Sequence, residues 1–289
     1  MDLKIVLGDL GLNPREVRDL ALVSRSETSR LYRLKVEGKS YILKCFLEGD
    51  ALEPKAYDLL RDLRVPTLPI HDSTPSAVLL DDLEASPVWR LADERDVEGR
   101  DVGKAVAEWY QFLHVAGRSL VKQGAPDWLR WEWDTLTPEG ILRAGEVLEM
   151  GENPVWEFAA EHLEALQSRA RQLPMTLNYN DFHWTNLALS RRPPLKAIVF
   201  DYHLLGIGLA WSDVRNVTYS LGPAAREAFL DAYGPTRPEE RVLDDPLSVL
   251  HSLQVATDRP TIPRWAAPCV EKARSGSLLA TLERAVDLR

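Results

Sequence analysis

Residues 178–186 read Asn-Tyr-Asn-Asp-Phe-His-Trp-Thr-Asn, and this polar stretch is the most informative part of the sequence. Asp181 lies five positions before Asn186 within it, and a second carboxylate, Asp201, directly follows a short apolar strand-like run downstream. An Asp with an Asn five residues later is common, so the pair alone favours a structural loop. A β-like lead-in, Asp, Asn and an apolar run that ends on Asp201, in that order, favour a catalytic loop instead.

These residue types suit the transfer of a phosphoryl group to an alcohol. That reaction needs a carboxylate to orient or deprotonate the hydroxyl group, oxygen ligands for Mg²⁺ and a cation to hold the nucleotide phosphates. The five-residue interval matches the interval between base and metal ligand in kinase catalytic loops. We therefore expect Asp181 to be the catalytic residue, and Asn186 and Asp201 to bind Mg²⁺.

A β-hairpin followed by a helix is predicted upstream. Ser29–Val36 and Ser40–Phe46 have strand character, with residues 37–39 as the turn between them. Glu53–Leu63 has apolar residues at helical spacing and a proline in the first turn, where a helix tolerates it.

Lys44 is the candidate phosphate-binding cation. It lies in the second strand with apolar neighbours on both sides, where a lysine is costly unless a carboxylate or phosphate satisfies it. Glu53 opens the following helix and is the candidate partner, so that Lys44 would hold the nucleotide while Glu53 holds Lys44. The alternative is an edge-strand lysine that points to solvent.

The chain is predicted to be α+β, with two lobes. A small, β-rich nucleotide-binding lobe is expected at residues 1–82, because the strand signals concentrate there. A larger, mainly helical lobe that carries the catalytic and acceptor-binding residues is expected at 83–289. Helical periodicity is clear in three later segments, Gly103–Ala116, Pro154–Arg171 and Ala224–Tyr233.

Composition argues against several classes of partner. The formal charge of −9, from 44 acidic and 35 basic residues, disfavours nucleic-acid binding through phosphate neutralisation. Two isolated cysteines, Cys45 and Cys269, are too few for a disulfide framework and favour a reducing compartment. There is no signal-peptide pattern at the N-terminus, and no apolar run approaches the roughly 18 residues of a membrane span, so a cytoplasmic protein without membrane contact is expected.

Together these motifs resemble the aminoglycoside phosphotransferase and choline kinase group, small-molecule relatives of the protein kinases. The similarity covers nearly the whole chain, from Lys44 and Glu53 through residues 79–83, where the interlobe hinge is expected, to Trp211-Ser212-Asp213. It implies a protein-kinase-like fold, ATP and Mg²⁺ as cofactors, a small-molecule hydroxyl acceptor and the residue roles given above. By the same resemblance, Asp213 would brace the catalytic loop.

Two features depart from the pattern of that group. The His-Gly pair expected before the catalytic aspartate is Tyr179-Asn180 here, and Tyr179 is expected to replace the histidine as a hydrogen-bonding anchor. The nucleotide-covering loop, residues 23–30, contains no glycine. Its Ser26 and Thr28 are candidate nucleotide-binding residues through hydroxyl or backbone N–H groups, and an ordinary polar hairpin turn is an equally favoured alternative.

Residues 127–134, Asp-Trp-Leu-Arg-Trp-Glu-Trp-Asp, are the candidate acceptor-binding segment. They place three tryptophans beside three carboxylates. Because ring faces attract ammonium groups and carboxylates pair with amines, a cationic alcohol such as an aminoglycoside or amino alcohol would suit this segment. The alternative places the tryptophans in the core and the acids in water.

Two rival functions stay open at this point. Tyr179-Asn180 and the glycine-free loop suggest a catalytically degenerate, nucleotide-binding pseudokinase, whereas the presence of the complete charged set speaks for activity. A protein kinase is disfavoured, because Trp211 follows Asp201 by only ten positions and leaves little room for a peptide-docking activation loop.

Overall fold

The structure is a computed structural model that describes residues 2–47 and 51–288. Its helices are α1 (Leu3–Asp9), α2 (Leu52–Asp62), α3 (Arg100–Gln123), α4 (Pro138–Val147), α5 (Val155–Gln172), α6 (Ala210–Ser220), α7 (Pro223–Tyr233), α8 (Pro238–Thr257), α9 (Ala267–Arg274) and α10 (Ser277–Val286). Its strands are β1 (Arg18–Arg25), β2 (Ser29–Val36), β3 (Lys39–Phe46), β4 (Ile70–Thr74), β5 (Ala77–Asp81), β6 (Trp89–Leu91), β7 (Met175–Asn178), β8 (Leu187–Ser190), β9 (Ala197–Val199) and β10 (Gly206–Leu209).

The chain divides into two compact units, each built from three segments. The first comprises Met1–Ala116, Tyr179–Leu205 and Asn216–Gly234, and the second comprises Gly117–Asn178, Gly206–Arg215 and Pro235–Arg289. The lobe boundary between residues 82 and 83 stays a prediction. The prediction of an α+β chain with an N-terminal antiparallel sheet and mainly helical structure after it is confirmed.

A five-stranded antiparallel sheet, with strand order β1-β2-β3-β5-β4, lies in the first unit. The predicted hairpin is formed by β2 and β3, but Val36 pairs with Lys39, so the turn is only Glu37-Gly38 and one residue shorter than predicted. Both turn residues have positive φ, 50° and 81°, which matches the strand twist in a two-residue hairpin loop. Lys39 is therefore free to join the strand.

The core of this sheet lies on one of its faces. Helix α1 packs there, and the cluster contains Val6, Leu7, Leu10, Leu34, Leu43, Cys45, Ala77 and Leu79. Because side chains alternate along a strand, Lys44 points to the opposite face from Leu43 and Cys45. Strand β1 was not predicted from the sequence, since every one of its residues is exposed and no burial alternation marks it.

A second antiparallel sheet, β6-β8-β9, positions the polar loop within residues 178–186. Strands β8 and β9 form a hairpin in which Leu187 pairs with Val199. Asn186 precedes the first of these residues and Asp201 follows the second by two positions. The hairpin therefore brings both candidate metal ligands to the same end of the sheet.

The second unit contains the two-stranded antiparallel sheet β7-β10 and the whole of α4, α5, α8, α9 and α10. The three helices predicted from periodicity are present as α3, α5 and α7, with ends that differ by up to seven residues from the predicted ones. Across residues 2–47 and 51–288, none of the helices combines the length and the apolar character needed to cross a membrane.

Candidate active site

Lys44 is the centre of the charged cluster in the first unit. Its Nζ lies 2.5 Å from Oε2 of Glu53 and 2.7 Å from Oδ1 of Asp201. Lys44 is 7% exposed and Glu53 is 2% exposed, and β3 is an interior strand of its sheet. This geometry rules out the solvent-facing edge-strand lysine, whereas a role in phosphate binding stays a prediction.

The buried ion pair has unusual electrostatics. Burial raises the pKa of Glu53 to about 7, and the charge of Lys44 opposes that rise. Burial also acts to lower the pKa of Lys44, but the carboxylates of Glu53 and Asp201 outweigh it, so the pKa of Lys44 is raised. Lys44 therefore stays charged, and its charge limits the rise in the pKa of Glu53.

Asp201 is held between Lys44 and His203. Burial alone would raise its pKa, but a hydrogen bond from His203 and the charge of Lys44 outweigh burial and hold the pKa of Asp201 below its usual value. His203 Nδ1 lies 2.9 Å from Asp201 Oδ1. No sequence pattern marked His203, whose only signal was its position two residues after the candidate metal ligand.

Asp181 and Asn186 contact each other across the loop. Nδ2 of Asn186 donates to Oδ2 of Asp181 at 2.9 Å and to its backbone carbonyl at 3.2 Å. The backbone N–H of Phe200 donates to the Asn186 carbonyl at 3.0 Å, which fixes the loop beside Asp201. Burial raises the pKa of Asp181, and the neighbouring charge of His203 opposes that rise.

The structure explains how Tyr179-Asn180 can replace the His-Gly pair of the family pattern. Tyr179 is fully buried, and its hydroxyl donates to the carbonyl of Phe200 at 2.5 Å, directly before Asp201. Asn180 has a φ of 65°, in the left-handed region that glycine enters freely and asparagine tolerates better than most residues. Tyr179 thus supplies a buried donor, and Asn180 supplies the backbone conformation for which a glycine is otherwise suited.

Buried aromatic rings continue from this point. The ring centroids of Tyr179 and Tyr202 are 6.0 Å apart, and those of Tyr202 and Tyr57 are 4.8 Å apart, both edge to face. Tyr57 lies one turn after Glu53 on α2 and has a buried hydroxyl without a hydrogen-bond partner among the described residues. These contacts connect the segments that carry Glu53, Asp201 and Asp181.

The candidate nucleotide-covering residues form a tight hairpin turn between β1 and β2. Ser26 Oγ accepts a hydrogen bond from the N–H of Ser29 at 2.9 Å and from the N–H of Thr28 at 3.3 Å. The backbone N–H of Ser26 donates to the carbonyl of Ser29 at 2.9 Å. The polar turn considered from sequence is therefore present, and nucleotide binding by Ser26 and Thr28 stays a prediction.

The donor set of the first unit fits Mg²⁺. No group of three or more His, Cys, Asp or Glu residues with metal-binding geometry occurs in the described parts of the chain. Mg²⁺ is usually held by one or two protein oxygens together with substrate phosphates and water. The carboxylate of Asp201 and the amide oxygen of Asn186 are hard donors of that kind.

The tryptophan-rich segment, residues 127–134, lies in the second unit and divides between core and surface. Trp133 is buried, whereas Trp131 is half-buried and Asp134 is exposed. Burial and the charge of Asp244 raise the pKa of Glu132 to about 8. Asp213, also in the second unit, is buried in the first turn of α6, and its bracing role stays a prediction.

Comparison with known proteins identifies the class of protein to which this chain belongs. A sequence profile described as the phosphotransferase enzyme family matches residues 19–243, which is more than half of the chain. The chain therefore belongs to this family of small-molecule phosphotransferases. The expectation that it is a phosphotransferase enzyme, and the resemblance on which that expectation rested, are confirmed.

Solved structures of low sequence identity share the fold of this chain. A choline/ethanolamine kinase family protein from Mesorhizobium loti is 14% identical, with a TM-score of 0.61 over 99% of both chains. Plasmodium vivax ethanolamine kinase is 11% identical, with a TM-score of 0.60 over 96% of this chain and 90% of its own. Spectinomycin phosphotransferase in complex with ADP and spectinomycin is 12% identical, with a TM-score of 0.53 over 99% of this chain and 98% of its own. The prediction of a kinase-like fold is confirmed, and no curated protein sequence matches the chain.

Proposed function

We propose that the protein transfers the γ-phosphoryl group of ATP to a hydroxyl group of a small molecule. The observation that carries the proposal is the linked set of side chains in the first unit. Lys44 bridges Glu53 and Asp201, and Asn186 hydrogen-bonds to Asp181 on the adjoining loop. Each of these residues has a proposed role in phosphoryl transfer, a reaction that enzymes catalyse mainly through positioning and electrostatic stabilisation.

Asp181 is the proposed catalytic residue. It accepts the proton of the acceptor hydroxyl as the new oxygen–phosphorus bond forms and the bond between the γ-phosphorus and the ADP oxygen breaks. Its pKa, raised by burial, suits a carboxylate that must take up a proton in the transition state. The hydrogen bond from Asn186 Nδ2 holds the carboxylate in a fixed orientation.

Lys44 is proposed to hold the nucleotide phosphates, with Glu53 fixing its position. Asn186 and Asp201 would hold Mg²⁺, which when bound neutralises charge on the phosphate oxygens. Ser26 and Thr28 are proposed to contact the nucleotide from the β1–β2 turn. The ADP in the spectinomycin phosphotransferase structure supports the use of a nucleotide by this fold.

The acceptor is proposed to be a cationic alcohol, of the aminoglycoside or amino alcohol class. The choline/ethanolamine kinase and spectinomycin phosphotransferase neighbours support a small-molecule acceptor. The net charge of −9 favours a cation over an anion and disfavours nucleic acid. A reducing, cytoplasmic setting without membrane contact fits this reading and stays part of the proposal.

The test is acceptor-dependent release of ADP from Mg-ATP, measured over aminoglycosides, macrolides, choline-like amines, homoserine and sugars. Asp181→Asn should lower turnover by roughly 10²- to 10⁴-fold and keep Mg-ATP binding, because it removes the base but no phosphate ligand. Asp201→Asn should reduce both. Asp58→Asn serves as the matched control, since Asp58 is a half-exposed carboxylate whose partner, Arg61, lies one helical turn away.

Turnover by Asp181→Asn equal to that of the parent would refute the catalytic assignment. Mg-ATP binding, measured separately by calorimetry, distinguishes an active enzyme from the pseudokinase. A protein that binds Mg-ATP but turns over none of the acceptors would favour the pseudokinase.

A further inference from the structure

The first unit contains a cleft of about 490 Å³ that is lined by β6, the first turn of α3 and the turn that joins β8 to β9. This volume lies within the size range of small-molecule sites. Three arginines line it, Arg90, Arg191 and Arg192, together with a single carboxylate, that of Asp101. None of the residues proposed for phosphoryl transfer belongs to this lining, so the cleft is a separate feature of the unit.

Arg191 is held in place by residues 83–89. Its Nε donates to the carbonyl of Ser86 at 2.8 Å and to that of Trp89 at 3.0 Å. Its Nη2 donates to the carbonyl of Leu83 at 3.4 Å. These acceptors carry no formal charge, so they fix the guanidinium without cancelling its positive charge.

The turn between β8 and β9 is ordered by its own hydrogen bonds. Ser190 Oγ accepts from the backbone N–H of Lys196 at 2.9 Å and donates to the carbonyl of Arg192 at 3.1 Å. The backbone N–H of Ser190 also donates to the carbonyl of Lys196 at 2.9 Å. Arg192 is therefore carried by a backbone that needs little further ordering when a ligand binds, which keeps the entropic cost of binding low.

The charges of the cleft favour an anion. Arg90 is neutralised by Asp96, because its Nη1 and Nη2 lie 2.6 Å and 2.7 Å from the two carboxylate oxygens. Arg191 and Arg192 have no carboxylate partner within residues 2–47 and 51–288, and Asp101 is the one carboxylate in the lining. The cleft therefore keeps an excess of positive charge in a chain whose net charge is −9.

The remaining lining suits an organic group. Pro193 and Leu195 provide apolar surface beside the arginines. Guanidinium groups match the geometry of phosphate oxygens through paired, charge-assisted hydrogen bonds. A phosphate bound by the arginines would therefore leave its substituent against this apolar surface.

We propose that this cleft binds small phosphate-bearing anions, with Arg191 and Arg192 holding the phosphate oxygens. The inference goes beyond the proposed function, because it concerns neither the nucleotide-binding nor the acceptor-binding residues. Free phosphate and a phosphate ester share the chemistry that the arginines recognise. The ester alone would also use Pro193 and Leu195, so the two can be separated by experiment.

The experiment is a titration of the full chain with inorganic phosphate and with phenyl phosphate, without Mg²⁺ and at constant ionic strength. Binding is followed through the backbone N–H signals of Ser190 and Arg191 in ¹H–¹⁵N spectra. Both anions should shift these signals, whereas phenol, the neutral probe, should not. Tighter binding of phenyl phosphate than of phosphate identifies an ester as the ligand, because the apolar surface then adds a contact, and equal binding identifies free phosphate.

Two substitutions with opposite effects make the result decisive. Arg192→Gln should weaken phosphate binding about threefold to tenfold, because it removes a charge-assisted donor from an exposed side chain. Asp101→Asn should strengthen it by a similar factor, because it removes the carboxylate that repels the anion. Arg61→Gln is the matched control, since it removes an exposed arginine of α2 that does not line the cleft, and phosphate binding should stay unchanged.

Phosphate affinity that is equal in the parent and Arg192→Gln, or that Asp101→Asn does not raise, overturns the proposal. Phosphate that binds instead near Lys44 would be insensitive to both substitutions and would give that negative result. No readout depends on turnover, so failure of the proposed function is seen separately.

Discussion

Replacing three buried tyrosines in turn measures what the Tyr179 hydroxyl contributes. Phenylalanine fills nearly the same volume, so each substitution removes one hydroxyl without leaving a cavity. Tyr179 donates to the Phe200 carbonyl at 2.5 Å, and Tyr202 donates to the Val199 carbonyl at the same distance. Tyr57, buried against Tyr202, has no partner for its hydroxyl among the described residues.

The expected magnitudes follow from whether a buried carbonyl loses its donor. A net hydrogen bond is worth roughly 0.5–1.5 kcal/mol, and a buried group left without a partner costs roughly 1–3 kcal/mol. We expect Tyr179→Phe and Tyr202→Phe each to lower the free energy of unfolding by about 1–2 kcal/mol. Tyr57→Phe should change it by less than about 0.5 kcal/mol or raise it, because removal of an unpartnered hydroxyl abolishes a desolvation cost.

Urea unfolding followed by circular dichroism and tryptophan fluorescence measures these differences, provided that the denaturant slope is the same for all variants. The reasoning is refuted if Tyr57→Phe is as damaging as Tyr179→Phe, since volume and burial are matched and only the hydrogen bond differs. If Tyr179→Phe also leaves stability unchanged, Tyr179 is not the anchor that replaces the histidine of the family pattern.

Two other predictions concern Asn180 and Glu132. Asn180→Gly should be at least about 1 kcal/mol more stable than Asn180→Ala in the same unfolding assay, because the φ of 65° strains alanine but not glycine, and equal stability would contradict this. For Glu132 the native pKa is about 8 against 4.5 in its ordinary state, so the folded protein keeps a proton that the unfolded chain has lost, and stability falls as the pH rises through this interval. Glu132→Gln should remove a decline of roughly 4 kcal/mol between pH 5 and pH 9, as measured by urea unfolding. An unchanged decline assigns it to other groups, such as Glu53, whose pKa is also raised.

Local patterns in the sequence predicted much of the first unit. The contact between Lys44 and Glu53 could be anticipated, because a lysine between apolar strand residues needs a carboxylate and the next helix begins with one. Asp181, Asn186 and Asp201 were likewise marked by their order and spacing. Their meeting in space depends on the β8–β9 hairpin.

Contacts without a local pattern were missed. Arg171 lies 37 positions from Asp134, and nothing in the spacing connects an α5 arginine with the tryptophan-rich segment. His203 contacts Asp201 through a turn geometry that a two-residue separation does not specify. Strand β1 is held by its neighbour β2 while all its side chains stay exposed, so the alternation by which strands are recognised is lacking.

The glycine-free turn between β1 and β2 has a thermodynamic consequence. The Ser26 hydroxyl already satisfies the backbone N–H groups of Thr28 and Ser29, so the turn is ordered by the fold itself. Fixing a residue's backbone costs roughly 1–2 kcal/mol of conformational entropy, and a flexible glycine-rich flap loses that freedom when its ligand arrives. In this protein the backbone entropy of the turn is lost during folding, before any nucleotide binds. A nucleotide that binds beneath this turn would do so with a smaller entropic penalty, and its departure would release less disorder.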